Sequence, residues 1–440
     1  MIRKAAVLGL WAMTLAGMIG AQEKDVPKDI PHLDHVFVIM MENHGYQQII
    51  NNPNAPYLNS LITGKKVNLA ANYFAVGHPS LTNYLEIVGG SNFGTRSDNN
   101  PAWHSTTCTP NLQSLILNAD NYGGNPPAGL QIESTSICPI AGKGTDADTP
   151  AVDNWNEVSP PQFAFLADID GVKSIPASNK IEGKTIADQL VRAGLSWKSY
   201  QEDLPLSGAD GVNYASENGT VSNLTDFTNL SPITSANVVQ TYAAKHNPFV
   251  YFKNVQEGYQ WNNSLHNVVG FDGPRGLYAD LGSGDVPSLA FIAPSQCHDD
   301  HGRGNGDSFC AYDGATDGTQ LNLNPGLIQQ GDVTIQKLVE GIKSSPVWHE
   351  GRTAIVIVWD ENDYSGVSSQ PTGLFPPQNQ NSVVLTVETN CDKTGIQSSK
   401  YYNSFSLLRT LEAGFGLPCL NHACDSGVSV MSDLFGGHEK

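Results

Sequence analysis

The chain has 440 residues and carries 43 Asp and Glu against 24 Lys and Arg, which gives a net charge of −19. This excess of negative charge disfavours nucleic acid and anionic membranes as partners, and an anionic substrate would need local positive charge, which a metal ion supplies. The alternative is that the acidity only keeps an exported protein soluble, and the two explanations are compatible.

The first 21 residues have the pattern of a signal peptide. Two basic residues precede an apolar run over residues 5–19, and small residues end it. We therefore expect residues 1–21 to be removed, the mature chain to begin at Gln22, and the protein to be secreted or periplasmic. A retained N-terminal anchor is the alternative. Because no second apolar run reaches the length of a membrane span, we expect no stable membrane insertion.

The remaining chain alternates between predicted strands and predicted helices. Apolar, β-branched stretches predict buried strands at residues 35–41, 249–255, 289–293, 354–359 and 383–387. Helical periodicity appears at residues 80–88, 185–193, 333–344 and 404–413. This alternation indicates an α/β fold with a parallel sheet. Stretches rich in Gly, Pro, Asp and Asn around residues 120–180 and 203–235 are interpreted as surface insertions, so that residues 22–440 form a single domain.

Acidic residues follow three of the predicted strands. The segments concerned are Glu42-Asn43-His44, His298-Asp299-Asp300-His301, and Asp360-Glu361 with Asp363. Ligands of open α/β sheets bind at the carboxyl ends of the strands, and loops there bring such groups together. Carboxylates, an amide and imidazoles suit a divalent metal ion. The alternative for any one segment is that its acid caps a following helix.

Ser80 stands at the start of the predicted helix 80–88, directly after Pro79. Backbone N–H groups at a helix start favour an anion such as phosphate. A serine there becomes a nucleophile when its hydroxyl proton is removed, which metal coordination achieves without a histidine base. The alternative is that Ser80 is an ordinary helix cap.

These residues lie in segments that resemble the secreted acid phosphatase and phospholipase C family of phosphoesterases. In chain order the segments are HVFVIMMENHGY, GHPSLTNYLEIVGG, IADQLVRAGLSWKSYQEDLP, HNPFVYFKNV, FIAPSQCHDDHG, IVIVWDENDYSG and YNSFSLLRTLEAGFGLP. The resemblance covers most of the chain from about residue 34 to residue 420. It implies a fold similar to that of alkaline phosphatase, with a central, mainly parallel sheet between helices.

The resemblance also implies roles for individual residues. The implied metal ligands are Glu42, Asn43, Ser80, Asp299, Asp360 and Glu361. Ser80 would be the nucleophile that forms a phosphoseryl intermediate, and Asn83 and Asn43 would bind the phosphate. His301 and His78 are the two candidates for the general acid that protonates the leaving oxygen.

Two departures from the family pattern concern the number of metal ions. Ser404 stands where the family usually has a histidine, and the segment PQNQNSVVLTV lacks a histidine that the family often carries. These losses favour one divalent ion, of unspecified identity, over two. We still expect the remaining ligands to be sufficient for one metal beside the nucleophile.

Seven cysteines are more typical of disulfides than of metal ligands in an exported protein. The pairs that lie near each other in sequence are Cys108 with Cys138, Cys297 with Cys310, and Cys419 with Cys424. Cys391 is then left over, although sequence alone does not determine the connectivity.

Three functions are compatible with the sequence. The first is a metal-dependent phosphatase that hydrolyses small phosphate monoesters at acid to neutral pH through a phosphoserine. The second is a phospholipase C that releases phosphorylated head groups, which the acidic surface disfavours. The third is a non-catalytic binding protein on the same fold, for which the two missing histidines are the argument. The oligomeric state is not predicted.

Overall fold

A computed structural model of the chain describes residues 26–77, 80–93, 95, 105, 181–202, 204, 242–258, 263–302, 325–362 and 381–437 with their side chains. It describes the backbone alone at residues 109–110, 112–117, 137–138, 209–212, 214–215 and 238–239. The predicted signal peptide and nearly all of the two predicted insertions lie outside the described residues. Those predictions, and the single-domain prediction, remain untested.

The strands are β1 (His35–Met41), β2 (Asn68–Ala70), β3 (Tyr73–Phe74), β4 (Thr109–Pro110), β5 (Leu112–Leu117), β6 (Ile137–Cys138), β7 (Trp197–Gln201), β8 (Ala209–Val212), β9 (Tyr214–Ala215), β10 (Val238–Val239), β11 (Val268–Val269), β12 (Leu289–Ala293), β13 (Thr353–Trp359), β14 (Leu385–Thr389), β15 (Gln397–Ser398) and β16 (Tyr402–Asn403). Eight of them form one sheet in the order β11-β7-β12-β1-β13-β14-β2-β15. The remaining strands pair two by two, as β10 with β9, β16 with β3, β4 with β6 and β5 with β8.

The α-helices are α1 (Tyr46–Ile49), α2 (Pro56–Thr63), α3 (Ser80–Gly89), α4 (Ile186–Arg192), α5 (Lys253–Gln256), α6 (Leu277–Ser283), α7 (Pro325–Ser344) and α8 (Ser404–Phe415). Short 3₁₀ helices occupy Ala244–His246, Pro248–Tyr251, Leu265–Asn267, Pro346–His349 and Asn421–Cys424. The helix α8 shows how capping residues determine where a helix begins and ends. Asn403 accepts a hydrogen bond from the Ser406 N–H at 3.0 Å, and Gly416 takes the left-handed φ of 67° that ends the helix.

The large sheet is mainly parallel and is covered on both faces. Only β14 runs antiparallel to its neighbours β13 and β2 within this sheet. Every side chain of β12 and β13 is buried, so both alternating sets of side chains face other parts of the protein. Helices pack in two groups, one of α3, α4 and α8 and the other of α2, α6 and α7. The predicted α/β fold with a mainly parallel central sheet is therefore confirmed.

The predicted strand at residues 249–255 is wrong. This aromatic stretch forms the 3₁₀ helix Pro248–Tyr251 followed by α5. Four strands of the large sheet were not predicted, namely β2, β7, β11 and β15. The longest of them is β7, whose sequence WKSYQ is largely polar. Its side chains find partners only in the folded protein, because both Lys198 and Tyr200 bond to the carboxylate of Asp280.

Cys419 and Cys424 form a disulfide, as predicted. Cys297 is also disulfide-bonded, whereas its predicted partner Cys310 lies outside the described residues. Among the described cysteines, Cys391 is free and exposed. None of the helices described by the structure combines the length and the apolar character that crossing a bilayer requires.

Candidate active site

The three acidic segments meet at one edge of the sheet because β12, β1 and β13 are adjacent and parallel. Backbone hydrogen bonds continue from the strands into the loops. The Glu42 N–H donates to the Asp299 carbonyl at 2.7 Å, and the Asp360 N–H donates to the Met41 carbonyl at 2.9 Å. The carboxylates of Glu42, Asp299 and Asp360 are thereby held on neighbouring, rigid chain segments. The predicted clustering of these acids is confirmed by this arrangement.

The turn after β1 depends on Asn43, which adopts a left-handed φ of 55°. Asparagine tolerates this conformation better than most residues. The Asn43 N–H donates to Asp360 Oδ1 at 3.1 Å, and the Glu361 N–H donates to the same oxygen at 2.6 Å. The structure thus gives Asn43 a backbone role at the cluster. Its predicted side-chain role toward metal and phosphate remains a prediction.

Ser80 is the first residue of α3 and is buried beside two carboxylates. Its Oγ lies 3.2 Å from Glu42 Oε2 and 3.2 Å from Glu361 Oε1. A hydroxyl has one proton, so it donates to one of these oxygens at a time. The hydroxyl of Ser80 is therefore directed at the acids that the sequence predicted as its neighbours.

Asn83 lies one helical turn after Ser80 on the same face of α3. Its Nδ2 donates to Glu361 Oε2 at 3.0 Å and to the Gly77 carbonyl at 2.8 Å. Its Oδ1 accepts from the Gly77 N–H at 3.0 Å. In the structure Asn83 orients Glu361 and the chain before the helix. The predicted phosphate contact remains a prediction.

His301 belongs to the cluster, whereas His78 lies outside the described residues. The His301 N–H donates to Asp299 Oδ1 at 2.8 Å. Its ring Nδ1 lies 3.1 Å from the Gly302 carbonyl, and its Nε2 lies 3.3 Å from Lys245 Nζ. An Nδ1–H that donates to the carbonyl would leave Nε2 to accept from the lysine, which is the neutral form of the ring.

Two residues of the site were not predicted, Lys245 and His246. Both are buried and belong to the 3₁₀ helix Ala244–His246. His246 Nε2 lies 3.0 Å from Glu42 Oε1, and its Nδ1 lies 3.2 Å from Asp299 Oδ2. The ring also stacks on Tyr84 at a centroid distance of 5.3 Å. The sequence feature that could have indicated His246 is the segment HNPFVYFKNV, which begins at this residue and resembles the family.

The site concentrates negative charge in a buried place. Burial raises the pKa values of Glu42, Asp299 and Asp360 well above the ordinary carboxyl range, and neighbouring carboxylates raise them further. The charge of Lys245 acts on all three pKa values in the opposite direction. Burial also lowers the pKa of His246, and Lys245 and His301 add to that effect. The acids therefore need a further cation to be fully ionised together.

The residues present fit a divalent metal ion. Among the described residues of the site, Asp360 Oδ2 is buried and makes no hydrogen bond. Glu42 Oε1 and Asp299 Oδ2 face the two ring nitrogens of His246, at 3.0 and 3.2 Å, and a neutral ring donates to only one of them. Buried polar atoms are nearly always bonded, so these atoms point to a missing partner. Carboxylate oxygens suit Mg²⁺, Ca²⁺ or Mn²⁺. In addition, Glu42, His246 and His301 each offer a ligand atom, and these three atoms lie within 4.8 Å of one another. This second set suits a metal that accepts nitrogen ligands.

Comparisons with known proteins identify the family of the chain. A model of the Phosphoesterase family matches residues 51–418. An acid phosphatase of Aspergillus fumigatus is 24% identical over 267 residues, which cover 61% of this chain and 46% of the relative. A phosphatidylinositol-3-phosphatase of Mycobacterium tuberculosis is 35% identical over 157 residues, which cover 35% of this chain and 51% of the relative. The chain thus spans about half the length of these curated relatives.

Among solved structures, an alkaline phosphatase superfamily protein of Vibrio parahaemolyticus aligns with a TM-score of 0.44 and 10% identity. The alignment covers 90% of this chain and 70% of that protein. A phosphonate monoester hydrolase of Agrobacterium radiobacter aligns with a TM-score of 0.42 and 11% identity, over 92% of this chain and 78% of that protein.

Proposed function

The chain belongs to the phosphoesterase family, and from this premise we propose that it hydrolyses phosphate monoesters with Ser80 as nucleophile and a divalent metal ion at the carboxylate cluster. One observation carries the proposal. The Ser80 hydroxyl lies 3.2 Å from the carboxylates of both Glu42 and Glu361, at the edge of the sheet where Asp360 Oδ2 is buried without a hydrogen bond among the described residues. An activated serine beside such oxygens is the arrangement that a phosphoserine mechanism requires.

The first step is attack by Ser80 Oγ on the phosphorus atom. The hydroxyl proton passes to a carboxylate oxygen of Glu42 or Glu361, to which it is already hydrogen-bonded in the structure. When bound, a metal ion would lower the pKa of the serine hydroxyl and would offset the negative charge of the phosphate. Glu42, Ser80, Asp360 and Glu361, together with Asn43 and Asp299, would hold it.

The P–O bond to the alcohol then breaks, and the leaving oxygen takes a proton from a general acid. His301, once its Nε2 is protonated, and His78 remain the candidates for this acid. Water next attacks the phosphoserine, the serine regains its proton, and inorganic phosphate leaves. The equatorial phosphate oxygens need positive charge throughout these steps. Lys245 is the buried cation beside the cluster, 3.3 Å from His301 Nε2, and we assign it this role.

Replacement of Lys245 by methionine tests this assignment, because methionine keeps much of the side-chain volume and removes the charge. We expect the inhibition constant of inorganic phosphate to rise about 10- to 100-fold, since a hydrogen bond to a charged group contributes about 1.5–3 kcal/mol. Lys198→Met is the matched control, because Lys198 pairs with Asp280 instead. An unchanged inhibition constant in Lys245→Met would remove Lys245 from phosphate binding.

The substrate class is tested by turnover of three esters from about pH 4 to about pH 9. We expect p-nitrophenyl phosphate, a monoester, to be hydrolysed much faster than bis(p-nitrophenyl) phosphate, a diester. Vesicles that contain phosphatidylinositol 3-phosphate form the third substrate, because the Mycobacterium tuberculosis relative is named for that monoester. Preference for the diester would instead support the phospholipase C alternative. If the protein hydrolyses none of the esters in the presence of added divalent metal ions, the result would support the hypothesis of a non-catalytic binding protein.

A further inference from the structure

A buried side-chain hydrogen bond joins two of the loops that carry the acids. Asp300 follows β12, and its Oδ2 accepts a hydrogen bond from Trp359 Nε1 at 3.1 Å. Trp359 is the last residue of β13. The strands β12 and β13 are not neighbours, because β1 lies between them. The bond therefore spans the central strand and connects loops that no strand pairing joins directly.

Each end of this bond is one residue from a predicted metal ligand. Asp299 precedes Asp300 and directs its Oδ2 at His246, whereas Asp360 follows Trp359. Both Asp300 and Trp359 are 1% exposed, so water does not compete for the bond. A change in the separation of Asp300 and Trp359 would be transmitted through a single peptide unit to the acids.

The local backbone is arranged for this contact. Asp300 adopts a left-handed φ of 81°, a conformation that aspartate and asparagine tolerate better than other residues with side chains. The Asp300 carboxylate packs against α7 at Gly331, where the absence of a side chain leaves space for it. A Cβ atom at that glycine would lie 1.8 Å from Asp300 Oδ1, so any other residue would displace Asp300.

We propose that Asp300 is a positioning residue, which sets the separation of the Asp299–His301 loop from the Asp360–Glu361 loop through its hydrogen bond to Trp359. This inference rests on the proposed function for its effect on turnover. Its structural part, the coupling of the two loops, is independent of any activity. Replacing a residue that orients a metal ligand without touching the metal typically lowers metal affinity or activity by about 10- to 100-fold.

Trp359→Phe removes the indole N–H and keeps an aromatic ring. We expect faster hydrogen–deuterium exchange in peptides that cover residues 294–302 and 360–362, weaker binding of Mn²⁺ by calorimetry, and about 10-fold lower kcat with little change in KM. Trp197→Phe is the matched control. Trp197 is equally buried in the same sheet, and its Nε1 makes no hydrogen bond in the described part of the chain.

Asp300→Asn provides the conservative rescue, because an amide oxygen also accepts from Trp359 and asparagine tolerates the same φ. We expect its exchange and kcat to stay close to those of the wild type. Equal effects of Trp359→Phe and Trp197→Phe, or exchange in Trp359→Phe that matches the wild type, would overturn the proposal. If the wild type hydrolyses no phosphate ester, the proposed function fails, and the exchange comparison still decides whether the bond couples the loops.

Discussion

Replacing Ser80 with alanine is expected to lower kcat for p-nitrophenyl phosphate by about 10³-fold or more. The substitution removes the oxygen that forms the bond to phosphorus, and losses of this size follow removal of a nucleophile in other hydrolases. The alanine methyl group fits the space of the hydroxyl, so the fold should be kept. Steady-state kinetics on the wild type and the variant measure kcat, and a circular dichroism melting curve of each protein checks that the fold is kept.

Ser345→Ala is the matched control for this substitution. Ser345 is also buried, its Oγ makes no hydrogen bond within the described residues, and it lies before the 3₁₀ helix Pro346–His349 and away from the acids. We expect its kcat to equal that of the wild type. Phosphate-trapping after a brief reaction adds a second readout, because a phosphorylated protein should appear in the wild type and be absent in Ser80→Ala. Full activity in Ser80→Ala would assign the attack to water or to another residue.

Glu42, Asp299 and Asp360 are expected to make the stability of the metal-free protein fall as the pH rises above the ordinary carboxyl range. Burial raises the pKa values of Glu42, Asp299 and Asp360 in the folded protein, whereas the unfolded chain has ordinary carboxyls near pH 4. Between those values the folded state holds more protons than the unfolded state. Stability therefore decreases with rising pH, by about 1.4 kcal/mol per pH unit for each proton concerned.

A divalent ion should reverse this trend. Metal binding requires ionised carboxylates, so the rise in melting temperature on adding Mn²⁺ to chelated protein should grow with pH. Glu42→Gln distinguishes the contribution of the site from that of the rest of the protein, because it removes one of the carboxyls whose pKa is raised. Its chelated form should show a shallower decline with pH than the wild type and a smaller response to Mn²⁺. A metal response that does not depend on pH would contradict this account of the site.

The fold was predictable where burial alone determines an element. The run that forms β1 is apolar at nearly every position, because the strand is covered on both faces, and its predicted bounds are those of the structure. Residues 249–252 are as apolar as such a strand, yet the 3₁₀ helix Pro248–Tyr251 contains most of them. Apolar composition indicates burial but does not distinguish a buried strand from a buried helix. The strand β7 was missed because Asp280, which neutralises Lys198 and bonds Tyr200, is distant in sequence.

For the site, the sequence by itself determined which strand ends carry acids and that Ser80 begins a helix. These are local features, because strand ends and helix starts follow from neighbouring residues. Only the tertiary structure decided that β12, β1 and β13 are adjacent, which brings Glu42, Asp299 and Asp360 together.

The tertiary structure also decided that Lys245 and His246 reach the acids from a 3₁₀ turn, and that Asp300 bonds Trp359 across β1. These contacts join residues separated by tens to hundreds of positions. Their geometry depends on the packing of the whole sheet and its helices, for which a single sequence contains no local signal.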